Sequence, residues 1–316
     1  MKALTLRHIR YFEALARHRT FGRAAEACAV TQPALSMQIK ELEEMLGTPL
    51  LERGARQIRL TTFGEVFLLR ARAMLAVVDD VDGLARAARG QAAGQPAGKL
   101  RLGVIPTVAP YLLPAIINRL SGLFPDLVPV LRETLTSRLI EELSDGRIDA
   151  AILALPVSEP ALTEVPLFTE RFVLIRPETE AHKPVPSRDM LREMRLLLLE
   201  EGHCFRDQAL SFCDMASAHP REMLDGSSLS TLVQMVGAGI GVTLIPEMAV
   251  LIETRSAPVS AARFRDPQPV RTIGMVWRKS SAMEPQLMRI AEEVRHCGVN
   301  LRQASGLTTL PGWRRD

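Results

Sequence analysis

Apolar runs alternate with helical patterns through the chain from Lys99 onward. Short runs such as Leu100–Ile105, Val128–Glu133 and Ala150–Ala154 are separated by segments whose apolar residues recur at helical spacing. Strands that alternate with helices of this length predict parallel pairing, because each helix carries the chain back along the sheet. We therefore predict an α/β domain with a largely parallel sheet over most of the chain.

The alternation continues toward the C-terminal part of the chain. Leu167–Arg176, Leu196–Leu199 and Thr272–Trp277 are further predicted strands, and Leu229–Gly237 is a predicted helix. The glycines of Gly237–Gly241 follow that helix and precede a strand, whereas a dinucleotide-binding loop follows a strand and opens a helix. We therefore interpret this glycine cluster as a turn, and we expect no cofactor.

Three shorter helical patterns precede the α/β domain. Leu6–Arg17 and Thr20–Ala29 each place apolar side chains on one face. The third helix begins at Thr31, a hydroxyl N-cap followed by a proline in the first turn, and ends before Gly47. Two helices joined by a short turn, with polar side chains near the start of the second, are typical of a helix-turn-helix that reads the major groove of DNA.

Basic side chains follow this helix pair. Leu50–Leu60 predicts a small two-stranded wing that carries three arginines. Arginines in a loop usually lie on a solvated face, but beside a helix-turn-helix they indicate contacts with the DNA backbone or minor groove. The candidate DNA-binding residues are Gln32, Pro33, Ser36, Gln38, Lys40, Arg53 and Arg56.

Charge and composition agree with these two regions. The first 61 residues contain ten Lys and Arg against six Asp and Glu, so the basic excess lies in the predicted DNA-binding region. A chain of 316 residues that is 47% hydrophobic has enough apolar side chains for two or three packed domains. There is no apolar run of about 18 residues, and the N-terminus is too charged for a signal peptide. We therefore expect a cytoplasmic protein without a membrane partner.

A long helical pattern joins the two regions. Glu65–Ala93 is rich in alanine and leucine and contains no proline. Its apolar spacing suits a dimerising helix, although a core helix would show the same pattern. The composition of Gly90–Gly98, with several glycines and a proline, predicts a flexible hinge after it.

Two cysteines lie in a polar segment of the predicted α/β domain. Cys204 and Cys213 are nine positions apart, and His203 and Arg206 flank the first of them. Cationic or hydrogen-bonding neighbours favour the thiolate, which is the nucleophilic form of cysteine. A sulfenic acid formed on one cysteine can condense with the other to give a disulfide. The alternative is that both are ordinary buried thiols.

The spacing of these thiols predicts a conformational change. Residues nine apart in a helix are separated by about 13 Å along its axis, whereas the Cα atoms of a disulfide lie within about 7 Å of each other. If the segment is helical, disulfide formation must unwind it. The other two cysteines, Cys28 and Cys297, lack such polar surroundings, and we interpret them as structural. We predict neither a disulfide-stapled fold nor a metal site.

The N-terminal motifs resemble those of LysR-type transcriptional regulators. The similar segments are Phe21–Ala25, Thr31–Ser36, Leu50–Arg53 and Leu60–Gly64. Leu51 stands where the family often has an aromatic residue, which is a conservative difference. The resemblance implies a multidomain chain: an α-rich winged helix-turn-helix and a linker helix, followed by an α/β regulatory domain of two subdomains that is similar to periplasmic binding proteins.

The resemblance also implies domain boundaries. The chain is expected to cross between the subdomains near Leu167 and to return near Arg271. The expected segments are a DNA-binding domain at 1–64, a linker helix at 65–93, a hinge at 94–98, subdomain I at 99–168 and 271–301, subdomain II with the redox cysteines at 169–270, and a C-terminal tail at 302–316.

Within the family, the regulatory domain resembles the peroxide-sensing OxyR type. The similar segments are Ile105–Pro114, Gly202–Gln208 and Phe212–Cys213. The resemblance implies that Cys204 is the peroxidatic thiol and that Cys213 is the thiol that resolves it. Hydroxyl and cationic groups suit a peroxide pocket, because charge develops on the departing oxygen. The candidate pocket residues are Thr107, Thr136, His203, Arg206 and Arg271.

Three functions are consistent with these residues. The first is a peroxide-responsive transcription factor that is not an enzyme. Its expected partners are promoter DNA, hydrogen peroxide, RNA polymerase, a cellular thiol reductant and further copies of the chain in a homodimer or homotetramer. The second is a LysR-type regulator whose inducer is a small organic molecule between the subdomains, with the cysteines as bystanders. The third is a thiol peroxidase, which the DNA-binding module argues against.

Overall fold

The computed structural model describes residues 4–52, 58–93, 96–213 and 224–304. The backbone forms two compact units: the first comprises the chain up to Ala85 together with Ser144–Arg147, and the second comprises Arg86–Leu143 and the chain from Ile148 onward. The N-terminal unit is helical, and the C-terminal unit contains a mixed β-sheet packed against helices. The predicted fold class, an α-rich module followed by an α/β domain, is therefore confirmed.

Three short helices form the core of the N-terminal unit. They are α1 (Leu6–His18), α2 (Phe21–Ala27) and α3 (Gln32–Leu46). Helix α3 begins where the sequence predicted, because the Thr31 hydroxyl accepts the backbone N–H of Ala34 at 3.4 Å. Gly47 ends it with a φ of 69°, a left-handed conformation that glycine adopts without steric cost. The buried apolar side chains that pack between the helices include Ile9, Phe12, Leu15, Ala24, Leu35, Ile39 and Leu42.

The predicted wing begins with an isolated antiparallel bridge between Leu51 and Leu60. Glu43, near the end of α3, anchors the first of its strands, because Oε1 accepts two backbone N–H groups at 2.7 and 3.1 Å. These bonds fix the position at which the chain leaves the helix-turn-helix. Arg53 and Arg56 of the predicted wing lie outside the described residues.

A helix of 32 residues, α4 (Thr62–Ala93), follows the wing. Gly64 allows it to begin close to the wing, since a Cβ atom there would lie 2.2 Å from the carbonyl oxygen of Leu50. The helix includes Gly90, so the hinge predicted from this residue begins too early. One glycine costs a helix only about 1 kcal/mol, which an alanine-rich segment tolerates. The exposed apolar side chains along α4 are Phe63, Val66, Leu69, Met74, Val77 and Val81.

The C-terminal unit alternates strands and helices. Its strands are β1 (Gly98–Val104), β2 (Leu127–Glu133), β3 (Ala150–Leu155), β4 (Leu162–Pro177), β5 (Leu196–Leu199), β6 (Leu224–Gly226), β7 (Val242–Pro246), β8 (Val259–Arg263) and β9 (Val270–Arg278). Its helices are α5 (Ala109–Leu123), α6 (Thr136–Ser144), α7 (Arg188–Glu193), α8 (Cys204–Phe212), α9 (Leu229–Gly237), α10 (Val250–Glu253) and α11 (Glu284–Ala304). The strands and helices predicted for this unit are present at or near their expected positions.

The sheet is mixed, in the order β2-β1-β3-β9-β4-β7-β5-β6, with β8 paired to β4. Strand β1 is parallel to β2 and β3, and β5 is parallel to β6 and β7. Strands β4 and β9 run antiparallel to their neighbours. The prediction of a largely parallel sheet was therefore wrong for its centre. The reason is that β9 returns from the second half of the sheet and enters between β3 and β4 in the opposite direction.

Strands β4 and β9 belong to both halves of the sheet. The first part of β4 pairs with β9, and its last part pairs with β7 and β8. A register shift between Pro166 and Phe168 marks the middle of this ladder. The crossing predicted near Leu167 lies at this shift, and the return predicted near Arg271 lies in β9. Both predicted crossings therefore fall on the strands that the two halves share.

Large apolar side chains fill the core of this unit. Trp277, Phe172 and Leu112 are fully buried, and burial of each such side chain stabilises the fold by about 1.5–3 kcal/mol. Among the described helices, none is long and apolar enough to cross a membrane.

Candidate functional site

The two cysteines of interest lie at the ends of one helix. Cys204 is the first residue of α8, and Cys213 is its C-cap. Both thiols are free. Nine helical positions correspond to an axial rise of about 13 Å, roughly twice the largest Cα separation that a disulfide spans. In this reduced chain α8 is intact, so a disulfide between its ends requires the helix to unwind.

Cys204 is half-buried in a narrow cavity, which we name the thiol pocket. Gly202 has a φ of +94°, and this left-handed turn leads the chain from β5 into α8. The pocket leaves no room for a water-sized molecule. Three of the predicted residues, Thr107, Thr136 and His203, meet Cys204 there. The full lining is Ile105, Pro106, Thr107, Leu135, Thr136, His203, Cys204 and Phe205.

Thr136 brings an unpaired hydroxyl to the thiol pocket. It is the first residue of α6, and its Oγ1 is buried without a hydrogen-bond partner among the described residues. An unpaired buried hydroxyl costs about 1–3 kcal/mol. A small ligand with oxygen or nitrogen atoms would remove that cost on binding. The pocket therefore favours a small polar ligand.

Thr107 is held from behind by the guanidinium of Arg271. Nη1 donates to Thr107 Oγ1 at 2.8 Å, and Nη2 donates to the Thr107 carbonyl oxygen at 3.1 Å. Because a guanidinium only donates, Thr107 Oγ1 accepts, and its own O–H remains available to another acceptor. Arg271 is not among the residues that line the pocket. It contacts the pocket through Thr107 and supports that lining residue from behind.

A buried carboxylate compensates the charge of Arg271. Glu170 Oε1 accepts Arg271 Nε at 2.8 Å, and Glu170 Oε2 accepts the N–H of Met248 at 3.2 Å. Burial raises the pKa of Glu170, while the guanidinium acts in the opposite direction. Arg271 Cζ also lies 5.1 Å from the ring centroid of Phe205, a residue of the thiol pocket. Removal of one partner from such a buried pair costs about 3–5 kcal/mol, so this pair fixes the base of the pocket.

Arg206 points away from the thiol pocket. It is buried, and its Nη1 donates to the carbonyl oxygen of Leu199 at 2.7 Å and to the carboxylate of Asp225. These bonds tie the first turn of α8 to β5 and β6. Arg206, predicted as a pocket residue, is therefore placed by the structure among β5 and β6 and not among the residues that line the pocket. Two positions along a helix correspond to a rotation of about 200°, which puts Arg206 and Cys204 on different faces.

His203 contributes a polar ring and not a cation to the thiol pocket. It is half-buried and forms the N-cap position of α8. Burial lowers the pKa of His203, and the nearby carboxylate of Glu200 opposes this only in part. At neutral pH the ring is therefore uncharged. Cys204 lies in the first turn of α8, at the positive end of the helix dipole, which favours negative charge there.

Cys213 lies in a different environment. Its side chain is fully buried, and this burial raises the pKa of Cys213 to about 11, although Arg192 and Arg188 act to lower it. At neutral pH the Cys213 thiol is therefore protonated and is a weak nucleophile. The two thiols of α8 thus differ in access, since Cys204 is half-buried and Cys213 is fully buried.

The remaining cysteines are also shielded. Cys28 is half-buried in the N-terminal unit, and Cys297 is buried in α11. Burial raises the pKa of both thiols. Within the described residues, no cluster of His, Cys, Asp and Glu could hold a metal ion.

Sequence reasoning missed two residues beside the thiol pocket. Gln208 lies one helical turn after Cys204 and therefore on the same face of α8. Its Oε1 is buried without a partner among the described residues. The spacing of four positions from Cys204 could have identified it. Glu170 could not have been identified in this way, because it is 101 positions from Arg271.

Four of the predicted DNA-reading residues lie on the exposed side of α3. Gln32, Pro33, Ser36 and Lys40 are exposed. Gln38 is half-buried, and its Nε2 donates to Glu41 Oε2 at 2.9 Å, so its amide is already engaged within the unit.

Met37 was missed by the sequence reasoning. Its side chain is 63% exposed between Ser36 and Gln38. An exposed apolar side chain on a recognition helix suits contact with a thymine methyl group.

Two family descriptions match the chain. The bacterial regulatory helix-turn-helix of the LysR family matches residues 6–65, and the LysR substrate-binding domain matches residues 93–297. The chain belongs to the LysR family. The first match contains the helix-turn-helix and the wing, and the second contains the sheet and the thiol pocket.

LysR-family relatives with similar sequences cover nearly the whole chain. A probable hydrogen peroxide-inducible genes activator from Streptomyces viridosporus is 42% identical over 92% of this chain and 93% of its own length. A full-length OxyR variant from Pseudomonas aeruginosa is 36% identical, covers 93% of this chain and 99% of its own, and has a TM-score of 0.74. An H2O2-bound OxyR variant from Corynebacterium glutamicum is 32% identical over 98% of this chain and 97% of its own, with a TM-score of 0.67.

Proposed function

We propose that the chain is a DNA-binding transcription regulator that senses hydrogen peroxide through Cys204 and Cys213. The observation that carries this proposal is the position of Cys204 at the start of α8, in a narrow pocket with two threonine hydroxyls, while a second free thiol ends the same helix. The name of the Streptomyces viridosporus relative and the H2O2-bound state of the Corynebacterium glutamicum relative support it.

The first step is attack by the Cys204 thiolate on one oxygen of hydrogen peroxide. The S–O bond forms as the O–O bond breaks, so that sulfur becomes a sulfenic acid and the second oxygen leaves as hydroxide, which takes up a proton to give water. Thr107 and Thr136 would hold the peroxide and stabilise the departing oxygen. Because peroxide is larger than water, the lining side chains must shift as it enters the pocket.

The second step joins the two thiols. Cys213 sulfur attacks the sulfenic sulfur of Cys204, the S–S bond forms, and the S–O bond breaks. The hydroxide that leaves combines with the proton from Cys213 to give water. Since α8 holds the thiols too far apart for this bond, the helix must open at one end. The disulfide then keeps the segment in a new conformation, and a cellular thiol reductant would reset it.

We propose DNA contacts from α3 and the wing. Gln32, Ser36 and Met37 would read base edges, and Pro33 would fix the first turn. Arg53, Arg56 and Lys40 would contact phosphates, and Gln38 would join them after releasing Glu41.

Ser36→Ala should reduce discrimination between specific and random DNA by a factor of roughly ten. Lys40→Ala should weaken binding to both DNAs and lower the slope of log affinity against log salt concentration by about one. Equal affinity of the parent chain for both DNAs at physiological salt would exclude sequence-specific reading.

We also propose the division of the chain that the sequence suggested. DNA binding is assigned to residues 1–64, self-association to the linker helix at 65–93, and sensing to the two regulatory subdomains. The exposed apolar stripe of α4 supports a homodimer, since apolar side chains along a helix favour burial against a partner. A homotetramer, contact with RNA polymerase and action in the cytoplasm complete the proposal. Sedimentation of the full chain as a monomer at micromolar concentration would exclude the proposed oligomers.

Trapping of the oxidation product tests the sensing mechanism. The full-length chain is treated with equimolar hydrogen peroxide, then with a sulfenic-acid probe or an alkylating agent, and its cysteines are mapped by mass spectrometry. We expect a transient adduct on Cys204, followed by a Cys204–Cys213 disulfide and a changed DNA footprint. Reduced thiols after this treatment would favour an organic inducer instead. Sustained peroxide turnover with a thiol reductant and no DNA response would favour a thiol peroxidase.

A further inference from the structure

Helix α7 holds the Cys213 end of α8. Arg192 Nε donates to the carbonyl oxygen of Cys213 at 2.8 Å. Arg188 Cζ lies 4.7 Å from the ring centroid of Phe212. The same ring packs edge-on against Phe264, with centroids 5.1 Å apart. We name Arg188 and Arg192 the α7 clamp, because both side chains reach from one helix to the last two positions before the chain leaves α8.

The α7 clamp holds the C-terminal end of α8. Opening of the helix at this end would let Cys213 leave its C-cap position and approach Cys204 across an axial distance of about 13 Å. That displacement breaks the hydrogen bond from Arg192, because the bond is made to the Cys213 backbone itself. It also pulls on Phe212, the preceding residue. The contacts of the clamp therefore belong to the dithiol conformation.

The Cys204 end of the helix has no part in this clamp. Cys204 lies in the thiol pocket, whose lining comes from the segments around Ile105, Leu135 and Phe205. Neither arginine of α7 lines that pocket. The peroxide-reacting end and the moving end of α8 are thus held by separate groups.

We propose that Arg188 and Arg192 are positioning residues that restrain Cys213 and thereby set the rate and the equilibrium of disulfide closure. This inference rests on the proposed function. Contacts made only in the dithiol conformation stabilise that conformation, so their loss favours the disulfide. The clamp supplies no atom to the reaction. Cys213 sulfur still displaces hydroxide from the Cys204 sulfenic acid, and the peroxide already consumed is the oxidant.

Single substitutions in the full-length chain separate the two steps. Arg192→Met keeps a long side chain but cannot donate to the Cys213 carbonyl, and Arg188→Met loses the cation over Phe212. Arg289→Met is the matched control, because Arg289 stacks on another ring, Phe124, at 5.7 Å and belongs to α11. Quenched-flow trapping of the sulfenic acid measures the first step. Mass spectrometry of alkylated thiols measures closure, and titration in glutathione buffers measures the equilibrium.

We expect the first step to keep its parent rate in all three variants. Arg192→Met should close the disulfide about fivefold faster and shift the glutathione equilibrium about fivefold toward the disulfide, the effect of one lost hydrogen bond. Arg188→Met should change both quantities in the same direction by roughly threefold. Arg289→Met should match the parent chain.

Other results would contradict the clamp alone or the clamp together with the sensor. Parent-like closure and equilibrium in both α7 variants, or slower closure in either, would overturn the clamp while leaving the peroxide sensor in place. A parent chain that forms no disulfide would overturn the sensor and the clamp together. Circular dichroism verifies the fold of each variant, and if Arg192→Met fails to fold, Arg188→Met decides the matter alone.

Discussion

The two ends of α8 carry the same functional group in opposite environments. Cys204 is half-buried beside hydroxyl groups and the positive end of the helix dipole. Cys213 is fully buried behind an aromatic pair and two arginines. Those arginines do not lower the pKa of Cys213 below its ordinary value, because desolvation outweighs their charges. Burial, and not the number of nearby cations, therefore separates the reactive end of the helix from the protected one.

The largest expected effect comes from removing the reactive end. Cys204→Ser should abolish the peroxide response, because a serine hydroxyl is not an effective nucleophile toward peroxide at neutral pH. Disulfide formation and the change in DNA footprint should both be lost. Cys28→Ser and Cys297→Ser are controls that should respond like the parent chain. A normal peroxide-induced change in the DNA footprint of Cys204→Ser would show that the environment of Cys204 has no role in peroxide sensing.

Removal of the Cys213 thiol should leave the reaction of Cys204 with peroxide intact. Cys213→Ser should form the Cys204 sulfenic acid at the parent rate, because Cys213 takes no part in the attack on peroxide. Without a partner thiol, the sulfenic acid should accumulate and then proceed to the sulfinic acid at higher peroxide. Mass spectrometry over a peroxide titration distinguishes the products. A disulfide from Cys204 to Cys28 or Cys297 would assign the resolving role to another thiol.

Substitution of the two pocket threonines tests how the pocket assists the oxidation of Cys204. Thr136→Val should slow the oxidation of Cys204 roughly tenfold, the effect of one hydrogen bond to the reacting molecule. It should not lower the free energy of unfolding, because the buried hydroxyl has no partner to lose. Thr107→Val should slow oxidation as well, but should also cost about 1–3 kcal/mol of stability, since Arg271 Nη1 loses its acceptor while Nη2 keeps the backbone carbonyl. Urea unfolding combined with stopped-flow oxidation measures both effects.

The smallest effect concerns the protonation of Cys213. Folding raises the pKa of Cys213 from 9.0 to about 11, so the folded state favours the protonated thiol. Its contribution to stability is complete below pH 9 and is lost as the pH rises toward 11. The free energy of unfolding should therefore fall less steeply over this range in Cys213→Ala than in the parent chain. If the free energy of unfolding falls equally steeply with pH in both chains, burial does not raise the pKa of Cys213 in the reduced state.

Local patterns were sufficient for most of the fold. The cap at Thr31, the proline after it and Gly47 defined α3, because helix ends depend on neighbouring residues. The apolar runs identified the strands of the regulatory unit for the same reason. The direction of β9 was not predictable in this way, since it depends on which strands it enters between and not on its own residues.

The candidate site was predicted only in part. Thr107, Thr136 and His203 line the thiol pocket as expected, while Arg206 and Arg271 do not. Arg206 is near Cys204 in sequence, but its guanidinium bonds Leu199 and Asp225 instead. The charge state of His203 depends on burial, and the role of Arg271 depends on Glu170, which is far away in sequence. Such properties arise from tertiary packing, and no local motif contains them.

The length of α8 also determines what kind of exposure the chain registers. Formation of the sulfenic acid needs only one end of the helix, but closure needs the helix to open, so the two events are separated in time. Cellular thiols can return the sulfenic acid to the thiol during that interval. Under the proposed mechanism, a brief exposure to peroxide would be reversed before the disulfide forms, whereas sustained exposure would produce the disulfide. The intact helix would therefore delay disulfide formation, and its stability would set the shortest exposure to peroxide that produces a disulfide.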